Sequence, residues 1–168
     1  MFLESNSFNK VIFLDIDGVL KPEVVRGRVV KDKYGEIFDQ SNVDVLASII
    51  EQTGAKIVIS STWKYDGLDK MKQMWNDRHL PGDVIDITPS EMDVVDAGIE
   101  DFYDLVKRGH EIQLWLNNND FNGNYVIIDD IDDMLDNQAN NFVKIDSRIR
   151  LNETYIDRII SILNRGTW

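Results

Sequence analysis

Two aspartates, Asp15 and Asp17, follow the apolar run Val11-Ile12-Phe13-Leu14 and precede Gly18. Two carboxylates at the edge of a core are costly, because each loses hydration and each repels the other. A divalent cation relieves both costs, and Mg2+ is commonly held by one or two carboxylates plus a substrate phosphate. The pair need not act alike. One can point at a phosphorus atom as nucleophile while the other handles a proton, a known route through aspartyl-phosphate. Gly18 lets the chain turn sharply and lets a phosphate approach the backbone. The competing reading is structural, with Asp as a turn former at a strand end.

Such groups act only if the fold brings them together. Val11 to Leu14 is apolar without in/out alternation, which fits a parallel strand covered on both faces. In such sheets ligands sit beyond the carboxyl ends of the strands, where Asp15 and Asp17 fall. Four more segments read as strands. Ala55 to Ile59 ends in Ser60-Ser61-Thr62, hydroxyls able to hold a phosphate oxygen or to cap the next helix. Val84 to Pro89 and Phe142 to Ile145 are shorter. Tyr125 to Ile128 ends in Asp129-Asp130, a second acidic pair that would clash with the first unless a cation lay between them.

Helical stripes separate these strands. They run through Val45, Leu46, Ile49 and Ile50, with Ser41 or Asn42 as N-cap; through Leu68, Met71, Met74 and Trp75; through Ile112, Trp115 and Leu116; and through Ile156, Ile159, Ile160 and Leu163, capped by Asn152. Alternating strands and helices predict an α/β protein: three layers around a mostly parallel five-stranded sheet. The 168 residues suit one domain, with residues 21–40 as a small flap or cap and 90–107 as a second short insertion containing some helix.

Composition narrows the chemistry. There is no cysteine, so thiolate metal sites and cysteine nucleophiles are excluded, and His79 and His110 are too few for a multi-histidine centre. Carboxylates are the abundant ligand, which points to a hard cation. No apolar run is long enough to span a membrane and no signal-peptide pattern opens the chain, so a cytoplasmic protein is expected. A net charge of −12 disfavours extended, non-specific nucleic-acid binding. Residues 21–33 depart from that balance, with five cations (Lys21, Arg26, Arg28, Lys31, Lys33) against two anions. Val24 to Val30 reads as a hairpin turning at Gly27, which would carry Arg26 and Arg28 over a phosphorylated substrate. The alternative is an ordinary solvated hairpin. Asn118, Asp120, Asn122, Gly123 and Asp129 have calcium-loop spacing, but a strand follows where a helix should, so this reads as a surface turn.

Asp15-Ile16-Asp17-Gly18-Val19-Leu20 resembles, without departure, the first motif of the haloacid dehalogenase (HAD) superfamily of phosphohydrolases, Asp-x-Asp-Gly-[Val/Thr]-Leu. Ile59-Ser60-Ser61-Thr62-Trp63-Lys64 and Arg108-Gly109-His110-Glu111-Ile112 are similar to signatures of the small HAD domains of RNA-repair proteins, and Asp129-Asp130 resembles the fourth HAD motif. The resemblance implies Asp15 as nucleophile and Asp17 as general acid/base. It implies Ser60, or its neighbour Ser61, as the second-motif hydroxyl, and Arg108, or its neighbour Lys107, as the third-motif cation. Mg2+ would be held by Asp15, by Asp129 or Asp130, and by the backbone carbonyl of Asp17. The implied activity is phosphomonoester hydrolysis of a nucleotide, a polynucleotide end or another small phosphomonoester. A phospho-acceptor domain like response-regulator receivers is the alternative, although its motifs come in a different order. A catalytically idle HAD domain serving as a binding module is another. Oligomeric state is not specified.

Overall fold

The computed structural model describes residues 8–22 and 27–166. Five strands form one parallel sheet: β1 (Lys10–Leu14), β4 (Lys56–Ile59), β5 (Val84–Ile87), β6 (Asn124–Asp129) and β7 (Phe142–Lys144), in the order β5-β4-β1-β6-β7. β2 (Lys31–Asp32) and β3 (Gly35–Glu36) form a separate antiparallel hairpin. The chain moves outward from β1 to β4 and β5, then crosses back to β6. The order therefore reverses at β1, and a crevice opens at its carboxyl end.

Alternate side chains of β1 leave the sheet on opposite faces. Ile12 and Leu14 enter a core with α1 (Gln40–Thr53), α2 (Leu68–Asp77) and α5 (Ile156–Leu163), through residues such as Leu46, Trp75 and Ile159. Val11 and Phe13 enter a second core with α4 (Arg108–Asn118), through Ile112, Trp115 and Leu116. All four strand residues are fully buried. Each such side chain contributes roughly 1.5–3 kcal/mol of transfer free energy, so β1 is anchored from both sides.

Two local expectations are corrected. The N-cap of α1 is Asp39, which accepts from the Ser41 amide at 3.1 Å and pairs with Arg150 at 2.9 Å. A carboxylate offers the orphan amides more than a hydroxyl does. Secondly, the turn of the observed hairpin lies at Lys33-Tyr34, and residues 28–30 are not strand. Asp32 pins this turn to Arg78 through two hydrogen bonds, and Asp77 takes both Lys33 and the Tyr34 hydroxyl. The helix expected within residues 90–107 is α3 (Glu91–Asp96), capped reciprocally by Ser90 and Asp93, and a 3-10 turn follows at Tyr103–Leu105.

The start of α4 is docked on the loop after β6. The Gly109 amide donates to Asp133 O at 3.0 Å, and Gln138 donates to Gly109 O at 2.8 Å. A Cβ at Gly109 would lie 2.6 Å from the Leu135 amide nitrogen. Helix propensity alone makes Gly109→Ala stabilising by about 1 kcal/mol. The docking predicts the opposite sign, a loss of about 1–3 kcal/mol in urea unfolding. A stabilised variant would show that this junction is not closely packed.

Candidate active site

Backbone pairing continues one residue past the strands and aligns their tips. The Asp15 amide donates to Ile128 O at 3.0 Å, and the Ser60 amide to Leu14 O at 2.9 Å. Asp15 therefore stands beside Asp129, the last residue of β6. Oxygen atoms of Asp15, Asp129 and Asp130 lie within 4.8 Å of one another. Asp15 is 4% exposed and Asp129 is fully buried. Burial pushes Asp15 up to about 6, and the charge of Asp129 pushes the same way, against Arg108 and the Ser61 hydroxyl. Burial likewise pushes Asp129 up to about 6, against Arg108 and the Ile131 amide. Three convergent carboxylates, two of them in a dry setting, fit the donor set of a hard divalent cation. A side chain at Gly18 would run into the Asp130 carboxylate, and its φ of +76° favours glycine in any case.

Arg108 supplies the balancing charge. Its Nη1 lies 3.1 Å from both Asp15 Oδ1 and Asp129 Oδ2, and donates to Ser60 O at 2.8 Å. Its own amide donates to the Asp133 carboxylate at 2.9 Å, which fixes the first turn of α4 over the site. Lys107 is exposed and caps the helix. Arg108, not Lys107, reaches the aspartates.

The remaining expected residues are placed unequally. The Ser61 hydroxyl stands close enough to Asp15 to favour its ionised form, whereas the Ser60 hydroxyl is buried with no hydrogen-bond partner, and only the Ser60 carbonyl joins the site. Asp17 lies outside the three-aspartate cluster. Its Oδ1 accepts from Lys21 Nζ at 2.6 Å and from Trp63 Nε1 at 3.3 Å, so its side chain is committed to these two donors. Arg28 is exposed and takes no part in the bonds of the site, and Arg26 lies outside the described residues. The basic character of residues 21–33 is partly consumed internally. Lys21 bridges Asp17 and Glu36, and Lys33 pairs with Asp77.

Two groups near the site escape a reading of the sequence by motifs. Lys21 is buried, and its pairing with Asp17 and Glu36 outweighs desolvation and raises its pKa. Lys64 and Glu111 form a buried ion pair at 2.9 Å, with Lys64 also donating to Thr88 Oγ1 and Pro89 O. Burial pushes both towards neutrality, and their mutual attraction opposes it. This pair ties the turn carrying Ser61 to the helix carrying Arg108. Both residues lie inside quoted motifs, so their positions were visible but their partnership was not.

A family model described as the HAD domain in Swiss Army Knife RNA repair proteins matches residues 11–156, most of the 168. Comparison with curated proteins and with solved structures gives no match.

The electrostatics generate a stability test. With Asp15 and Asp129 titrating near 6 instead of 3.8, the folded chain binds more protons than the unfolded chain between about pH 4 and 6. Their contribution to stability therefore falls as pH rises through that window. Asp32 and Asp146, held near 2 by Arg78 and Arg148, titrate mostly below it. A cation favours the ionised carboxylates. Thermal melts should show Mg2+ raising Tm at about pH 7.5, but having little effect at about pH 4.5, where the site is protonated. An equal shift at both pH values would place the Mg2+ effect elsewhere.

Proposed function

The chain belongs to the family of HAD domains of Swiss Army Knife RNA repair proteins, and from that membership we propose that it is a Mg2+-dependent phosphomonoester hydrolase acting through an aspartyl-phosphate. The convergence of Asp15, Asp129 and Asp130 under the Arg108 guanidinium carries this reading. When bound by Asp15, by Asp129 or Asp130, and by the Asp17 carbonyl, Mg2+ supplies positive charge that offsets the carboxylates and the phosphate.

Asp15 attacks phosphorus with a carboxylate oxygen, and the bond from phosphorus to the ester oxygen breaks. Asp17 gives its proton to that departing oxygen, then takes one from a water whose oxygen attacks the phosphorus. The bond to Asp15 breaks, inorganic phosphate leaves, and both aspartates return to their starting state. Arg108 bears on the charge of the transferring group, and Ser61 orients Asp15 through its hydroxyl. Lys21 and Trp63 hold Asp17 beside the nucleophile. The substrate is a nucleotide, a polynucleotide end or another small phosphomonoester.

The test uses p-nitrophenyl phosphate. Asp15→Asn should lower kcat by at least about a thousand-fold with an unchanged circular-dichroism spectrum. Ser61→Ala should cost about ten- to a hundred-fold and Ser60→Ala less. Full activity in Asp15→Asn would remove the nucleophile, and a larger loss in Ser60→Ala would reverse the order of the two serines.

A further inference from the structure

We propose that the substrate's leaving group is a single uncharged, ring-bearing unit of nucleoside type, stacked on Tyr65. This deepens the phosphatase reading and rests on it. The proton donor faces the leaving oxygen, so the leaving group lies on the Asp17 side. A cleft of about 530 Å3 opens there, bordered by Asp17, Lys21, Lys31, Trp63 and Tyr65. That is within the range of small-molecule sites and holds one nucleoside comfortably.

Tyr65 is 62% exposed, yet the turn beneath it is fixed. Ser61 caps that turn, Lys64 is buried in its ion pair, and the Gly67 amide donates to Lys64 O at 2.9 Å. A ring held out on a rigid turn loses little entropy on binding. Tyr65 also borders the smaller cavity lined by Ser61 and Arg108. Tyr65 has one ring contact, with Lys64 Nζ 6.0 Å from its centroid, whereas the other two rings among the described residues of the cleft are more fully engaged. Trp63 donates to Asp17 and packs edge-on against Phe38, while Tyr34 gives its hydroxyl to Asp77 and lies under Lys33.

Charge selects against a second phosphate. Glu36 and Asp66 line the cleft against Lys21 and Lys31, and Lys21 is already committed between Asp17 and Glu36. A diphosphate or an oligonucleotide would bring its next phosphate to the Glu36 and Asp66 carboxylates. A nucleoside monophosphate would not.

The experiment compares AMP, glycerol 3-phosphate and the dinucleotide pApA on the full chain with Mg2+, in wild type, Tyr65→Ala and Tyr65→Phe. The wild type should favour AMP over the other two. Tyr65→Ala should lower kcat/KM for AMP about five- to a hundred-fold more than for glycerol 3-phosphate, mainly through KM, and Tyr65→Phe should retain most of the AMP preference. Equal losses on both substrates, or a wild type that prefers pApA, overturns the proposal and leaves the phosphatase reading standing. If no phosphomonoester is turned over, the phosphatase reading fails, and calorimetric titration of Asp15→Asn decides the site. AMP binding tighter than inorganic phosphate, with the difference lost on adding Tyr65→Ala, supports the stacking platform. Equal affinities overturn it.

Discussion

Like charges buried side by side have to be balanced, and the carboxyl edge of this sheet is built around that constraint. The backbone hydrogen bonds that align β1 with β6 leave Asp15 and Asp129 no choice but to face each other. Lost hydration drives both towards the protonated state, helped by the charge of Asp129 on Asp15 and by that of Asp130 on Asp129. One guanidinium, from Arg108, bridges the two within a dry edge. That one guanidinium does not neutralise both buried carboxylates. The arrangement therefore keeps an affinity for further positive charge, which is the physical basis for expecting a divalent ion between the strands.

Because Arg108 carries so much of this balance, its own placement matters. It begins α4, and the first turn of that helix is fixed by Asp133, Gly109 and Gln138 from one side and by the Lys64–Glu111 pair from the other. A buried ion pair is weak support for stability as such, since desolvation consumes most of its Coulomb energy. Here it fixes relative position. It links the turn after β4 to α4, and so sets the Ser61 hydroxyl and the Arg108 guanidinium on the same carboxylate. On the other flank, Lys21 binds Asp17 to Glu36 of the hairpin, and the hairpin is itself tied to the end of α2 through Asp32 and Arg78. The hairpin thus serves as a wall of the cleft.

Where sequence and structure correspond, the signal was local. Val11 to Leu14 has to be buried on both faces, and a parallel sheet in turn puts Asp15 at a ligand-facing edge. The same holds for Tyr125 to Asp129, and the five parallel strands follow from such runs. What escaped was non-local or depended on one residue of register. Ser60 and Ser61 are chemically equivalent in the chain and both are buried, and only the turn geometry brings one hydroxyl near Asp15 and leaves the other without a partner. Lys64 and Glu111 are 47 residues apart, and nothing in either neighbourhood names the partner. The cations of residues 21–33 looked available for a substrate because their acidic partners, Glu36 and Asp77, lie outside that window. Asp39 is not legible as a cap because the apolar stripe of its helix begins only at Val45, with Ser41 and Asn42 standing nearer to it.

If Asp15 carries the phosphoryl group during turnover, the acyl phosphate can be trapped there. The enzyme is mixed with a hydrolysable aryl phosphate and Mg2+, quenched in acid during steady state, reduced with borohydride and digested. Mass spectrometry should then find reduction, the mark of an acyl phosphate, at Asp15 and not at Asp17, Asp129 or Asp130. Turnover with unmodified Asp15, or with the mark on another aspartate, would contradict the account.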